Sequence, residues 1–152
     1  MQHPARTRLR FSLLCWEGTP YREGDQVQGV GVDCVRFVCA VLDEMYGFRR
    51  ELPRNLPADR ALHDPEGAKA AMRQLLRLYP STEIAPDQAV EPGDILVMAP
   101  SGGGPGHAMI AGPDPNELWH VEPSAGVCYT GHGLMDMTLH AIYRPHGKES
   151  WQ

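Results

Sequence analysis

The sequence predicts an α+β domain in which N-terminal helices pack on a C-terminal antiparallel β-sheet. Two observations carry this. Before residue 80 the apolar residues recur at helical spacing, and after Pro92-Gly93 they gather in short runs separated by turn residues. The 16 glycines and 14 prolines exceed their usual combined share of about 12%, which argues against a pure helical bundle. A length of 152 residues suits one core, and we read 1–152 as a single domain without internal repeat or linker.

Residues 5 to 16 form a short helix with Leu9, Leu13 and Trp16 on one face, stopped by Gly18 and Pro20. A loop runs to Asp33. From Cys34 to Tyr46, Phe37, Val38, Val41, Leu42 and Met45 form the stripe of a buried helix that Gly47 ends. Asp33 is its predicted N-cap, which puts Cys34 at the first helical position, beside unpaired N–H groups and the positive end of the helix dipole. The stretch 48–63, with Pro53 and Pro57, is an irregular connection to a further helix over 65–78, capped by Asp64 and started by Pro65. The strand-like runs are Asp94 to Ala99, His107 to Ala111, Glu117 to Glu122, Gly126 to Thr130 and Met137 to Arg144.

The formal charge of −5, with Arg and Lys scattered, leaves no electrostatic footprint for nucleic acid or an anionic membrane surface. The apolar stretch Phe11 to Trp16 is too short for a secretory signal or a membrane span, so no export signal is expected. The four cysteines, Cys15, Cys34, Cys39 and Cys128, are too irregularly spaced for a disulfide scaffold, and reduced thiols are the default. Cys15, Cys39 and Cys128 are expected to be core thiols.

A thiol at a helix start with an imidazole nearby is a nucleophile in waiting, because both features favour the thiolate. Cys34 has the first by inference. The second is offered by His107 and His120 on adjacent strands. The connection Gly112-Pro113-Asp114-Pro115-Asn116 pairs Ala111 with Leu118, so Met109 faces His120 and His107 faces Glu122, all on one sheet face. A register shifted by two sets His107 opposite His120, whereas a shift of one separates them. With the right parity, His107 takes the thiol proton and His120 orients its ring, with Glu122 as rival orienter. Cys34, His107, His120 and Cys128 are also zinc-ligand types, but they lack the short paired spacing of structural zinc sites. The run Ser101 to Gly106 lacks the Lys-Ser/Thr ending of a phosphate loop and reads as a flexible rim.

In order along the chain stand Gly18-Thr19-Pro20-Tyr21, Val32-Asp33-Cys34 followed by Phe37-Val38, Pro92-Gly93-Asp94-Ile95, Gly106-His107-Ala108-Met109-Ile110 and Trp119-His120-Val121. This series, over about residues 8 to 144, resembles the NlpC-type papain-like cysteine peptidases, usually cell-wall endopeptidases. The resemblance implies a papain-like α+β fold and a catalytic Cys34, His107 and His120, with Tyr21 and the Cys34 backbone N–H assisting at the oxyanion and Asp33 at the helix start. It implies a peptidoglycan stem-peptide substrate, commonly cut between D-γ-glutamate and a diamino acid, and no cofactor and no metal. The chain departs from the family where Val35-Arg36 replace the frequent Ser-Gly. That makes Arg36 a candidate for supporting the thiolate, binding a substrate carboxylate or narrowing the cleft, and Glu122 is a further candidate for binding substrate.

A catalytic domain that fills the chain and carries no signal needs another route to the wall. The short NlpC-type domains of phage or prophage tail clusters are similar in this respect. The expectation is therefore a hydrolase made in the cytoplasm and built into a tail tip beside other tail-tip or baseplate proteins. The alternatives are a tail component that keeps the fold with little activity, and an intracellular amidase or acyltransferase.

Overall fold

Helix α1 (Pro4–Trp16) opens on a proline, whose fixed φ suits a first helical turn and whose missing N–H costs nothing there. The computed structural model describes residues 4–47, 81–100, 107–130 and 137–146. The expected helix over 65–78, the connection before it and the glycine-rich rim at 101–106 lie outside the described residues.

In α1, Ala5, Leu9, Leu13 and Trp16 form one buried stripe, while Phe11 and Leu14 face solvent. After the loop, β1 (Gln26–Val27) and β2 (Gly31–Val32) make a two-stranded hairpin. Helix α2 (Cys34–Tyr46) follows directly, capped by Asp33 as expected. It ends at Gly47, which takes the left-handed conformation at φ 67° and donates its N–H to Asp43 O at 2.8 Å. Helices α1 and α2 pack on each other. Glu44 of α2 ties them by accepting from the Trp16 indole N–H at 2.9 Å and from the Ser12 hydroxyl.

The strands are β3 (Ser81–Ile84), β4 (Ile95–Pro100), β5 (His107–Ala111), β6 (Leu118–Glu122), β7 (Gly126–Thr130) and β8 (Met137–Pro145). They form one six-stranded sheet in the order β3-β8-β4-β5-β6-β7, with every neighbouring pair antiparallel. Helices first and antiparallel strands after is the α+β arrangement that the sequence predicts. The sequence reading missed β1, β2 and β3. The first two are two residues long, and β3 alternates half-buried ends with an exposed Thr82-Glu83 centre, so none carries an apolar run.

Side chains alternate across the sheet. Ile95, Val97, Ala108, Ile110, Trp119, Val121 and Val127 join α1 and α2 in the main core, which also holds Cys34, Phe37, Val38, Val41 and Leu42. Leu96, Met98, Met109, Ala111 and Leu118 form a second apolar cluster. Helix α2 lies against β5 and β6, the strands that bear the two histidines. The start of β4 is anchored by buried Asp94, which accepts from Arg144 Nε and Nη2, each at 2.9 Å, and from the Glu91 N–H at 2.8 Å. That contact is the physical role of the residue after Pro92-Gly93.

Candidate active site

The helix start is built around Asp33, whose side chain is fully buried. Its Oδ1 accepts the Arg36 N–H at 2.9 Å, the bond that defines an N-cap. Its Oδ2 accepts from Gly24 N at 2.8 Å and from Arg36 Nη1 at 2.7 Å. Arg36 therefore turns back on the cap of its own helix. Cys34 is fully buried at the first turn.

The segment Gly18 to Tyr21 is held at both ends. Gly18 N donates to Val127 O at 2.8 Å and Val127 N donates to Thr19 O at 2.9 Å, which fastens it to β7. Beyond it, Tyr21 makes a parallel bridge with Val32, two residues before Cys34, while Val32 N donates to Pro20 O at 3.0 Å. Tyr21 is partly buried against the main core. Pairing to β7 and β2 thus carries Tyr21 to the start of α2.

Strands β5 and β6 pair with Ala111 opposite Leu118 and Ile110 opposite Trp119, the register expected from the connection between them. His107 and His120 share a parity, and their rings meet edge to face with Nε2 of His107 3.0 Å from Nδ1 of His120. Glu122 Oε1 lies 3.2 Å from the same Nδ1, so Glu122 touches His120 and competes with His107 for it. Burial, and next the charge of His120, push the His107 imidazole down to about 3. Burial also lowers His120, against Glu122, which raises it.

The sequence groups Cys128 with the histidines only as a zinc-ligand type and otherwise predicts a core thiol. Cys128 is half-buried on β7 instead of lying in the core, directly opposite His120 in the ladder, with Sγ 3.9 Å from Nε2. Counting outward from the Glu122–Gly126 pair across the Pro123-Ser124-Ala125 turn finds it. Among the described residues no three His, Cys, Asp or Glu side chains converge in a way that would hold a metal ion.

Among the described residues, two helices lead into a six-stranded antiparallel sheet, an arrangement that matches the NlpC/p60 form of the papain-like fold. The chain is similar to the NlpC/p60 domain of the peptidoglycan hydrolase SagA, at 22% identity and a TM-score of 0.58 over 90% of this chain and 96% of that one. It is also similar to a lipoprotein-like NLP/P60 family protein of Staphylococcus aureus, at 20% identity and a TM-score of 0.58. That match covers 95% of this chain and 42% of the staphylococcal one. No protein-family profile and no curated protein sequence matches the chain.

Proposed function

We propose that this protein is a cysteine peptidase that hydrolyses peptidoglycan stem peptides, at the bond between D-γ-glutamate and a diamino acid. The observation that carries the reading is the 3.0 Å contact between His107 Nε2 and His120 Nδ1. It occupies one nitrogen of His107 and leaves Nδ1 for the thiol. Strand parity sets a condition. Cys34 belongs to the helix-side core while His107 alternates with Met109 and Ala111, so thiol and imidazole must meet across the end of β5, where His107 is the first residue.

In this reading the Cys34 thiol gives its proton to His107 Nδ1, and the sulfur attacks the peptide carbonyl. The Cys34 backbone N–H and the Tyr21 hydroxyl receive the negative charge that develops on the carbonyl oxygen. His107 passes the proton to the departing amine, leaving a thioester. Water then attacks with His107 as base, and the acid and the free thiol are released. An imidazole so hard to charge takes a proton only beside a compensating anion, which is what the thiolate supplies. Arg36 is spent on Asp33, so substrate carboxylates are left to other groups.

The test is incubation of the protein and a Cys34→Ala variant with purified peptidoglycan fragments, read by mass spectrometry. Cleavage between D-γ-glutamate and the diamino acid, lost in the variant, is the expected result. No cleavage by the wild type, together with a Cys34 that alkylates no faster than Cys39, would overturn it.

For the route to the wall we propose assembly into a phage or prophage tail tip with other tail-tip or baseplate proteins. What supports a protein contact is the exposed apolar pair on α1, Phe11 at 71% and Leu14 at 51% exposure. Peptides of this chain in purified tail particles are the expected finding, and their absence would remove the tail reading while leaving the hydrolase.

A further inference from the structure

The hydrogen-bond chain through the histidine pair continues past His120. Nε2 of His107 is 3.0 Å from Nδ1 of His120, and Nε2 of His120 is 3.9 Å from Sγ of Cys128. His120 is 2% exposed, which leaves little water for its ring. We propose that Cys128 is a positioning residue whose sulfur receives the Nε2–H of His120 and so holds the one tautomer that lets His107 work as a base. The inference rests on the reading of Cys34 as nucleophile and His107 as base.

The argument is one of proton placement. A neutral imidazole carries one N–H and one bare nitrogen. For His107 to take the thiol proton at Nδ1, its own proton must sit on Nε2 and point at His120. Two N–H groups cannot share that 3.0 Å gap, so Nδ1 of His120 must be bare. The His120 proton is then on Nε2, aimed at Cys128. Glu122 pulls the other way, because its carboxylate only accepts and lies 3.2 Å from Nδ1. A proton drawn to Nδ1 would force His107 into the tautomer with Nδ1 already occupied, and the base would be lost.

Cys128 is the counterweight on the opposite nitrogen. The β6–β7 ladder fixes it there, pairing His120 with Cys128 and Glu122 with Gly126. Burial, and next the charge of Glu122, raise the thiol above its ordinary range, so Cys128 stays a neutral thiol beside the ring. Its separate position on β7 gives it a role distinct from the reacting sulfur.

The test compares wild type, Cys128→Val, Cys128→Ala and Cys128→Ser by ¹⁵N NMR of the His120 ring and by the rate at which iodoacetamide labels Cys34, followed on the Cys34 peptide. The wild type should show a protonated Nε2 and a bare Nδ1 on His120. The valine and alanine variants should move the proton to Nδ1 and slow Cys34 labelling by about tenfold or more, as wrong-tautomer histidines do. Serine, which keeps a polar atom at the site, should restore both. If the valine variant loses its fold, the alanine variant carries the comparison. A wild-type His120 protonated on Nδ1, or a folded alanine variant with unchanged tautomer and labelling rate, overturns the proposal. His107→Gln separates the two levels. If it leaves Cys34 labelling unchanged, the base reading itself fails. If it slows labelling while the Cys128 variants do not, only the role of Cys128 falls.

Discussion

The Arg36 guanidinium closes on Asp33, the residue that caps its own helix, with Nη1 2.7 Å from Oδ2 while the Arg36 backbone N–H holds Oδ1 at 2.9 Å. Asp33 is fully buried and the Arg36 side chain only 12% exposed, so this pair sits out of bulk water. The cation two residues after the cysteine therefore neutralises a buried carboxylate at the helix start. Removing Asp33 would cost both the cap and the counter-charge. Asp33→Ala should destabilise the fold by about 3–5 kcal/mol, the range for breaking a buried ion pair from one side. Arg36→Ala should fall in a similar range, and the double variant should lose less than the two singles together. Urea unfolding of the three variants measures this, and simple additivity would mean that the pair is not coupled.

Glu122 leads to a prediction of gain. Its carboxylate stands 3.2 Å from His120 Nδ1, the atom His107 needs as its acceptor, and its side chain is 41% exposed. Glu122→Ala should speed alkylation of Cys34 by about fivefold, the equivalent of about 1 kcal/mol of competing hydrogen bond removed. A slower rate would show that Glu122 assists the pair instead of competing with it.

The pairing that brings the histidines together was legible because a short connection and a period of two leave few registers. Ala111 opposite Leu118 follows from the length of the loop, and the parity of His107 and His120 follows from that. Helix α2 was legible to the residue because Asp33 and Gly47 are both recognisable ends. What sequence could not supply is which partner a side chain chooses. Arg36 reads equally well as a cation for substrate or thiolate until Asp33 is seen buried beneath it. Cys128 reads as a core thiol or a zinc-ligand type until a second hairpin sets it against His120. Strand β3 was missed because Ser81-Thr82-Glu83-Ile84 carries no apolar run and, among the described residues, pairs with β8 alone, more than fifty residues away in sequence.

The histidine pair gives the fold an acid sensitivity. In the folded chain His107 is pushed down to about 3, mainly by burial, whereas in the unfolded chain it titrates near 6.5. Between those values the unfolded state binds a proton that the folded state refuses. The stabilisation is complete above pH 6.5 and drains away as the pH falls toward 3, by up to about 1.4 kcal/mol per unit. His120, also lowered by burial, adds to the same trend. Unfolding in urea at pH 7, 6, 5 and 4 should show falling stability, with a shallower slope in His107→Gln. Equal slopes would mean that His107 does not carry the effect.

Gly126 links the sheet to the segment bearing Tyr21. It sits at φ 72°, and a Cβ there would stand 2.3 Å from Thr19 O, the atom that accepts the Val127 N–H. An alanine must therefore adopt a backbone region that costs about 1–2 kcal/mol and must also push Thr19 away. Displacing Thr19 loosens the hold on Pro20 and Tyr21, whose bridge to Val32 leads into the start of α2. Gly126→Ala should lose at least about 1–2 kcal/mol of stability. Below its unfolding midpoint it should also show a lower kcat on peptidoglycan fragments than Tyr21 alone explains, because β7 carries Cys128 two residues on. Comparing Gly126→Ala with Tyr21→Phe separates these effects. Tyr21→Phe should lower kcat while leaving the unfolding midpoint within about 0.5 kcal/mol of wild type, and Gly126→Ala should shift both. A Gly126→Ala variant with wild-type stability would mean that the Gly18–Tyr21 segment does not rest on β7.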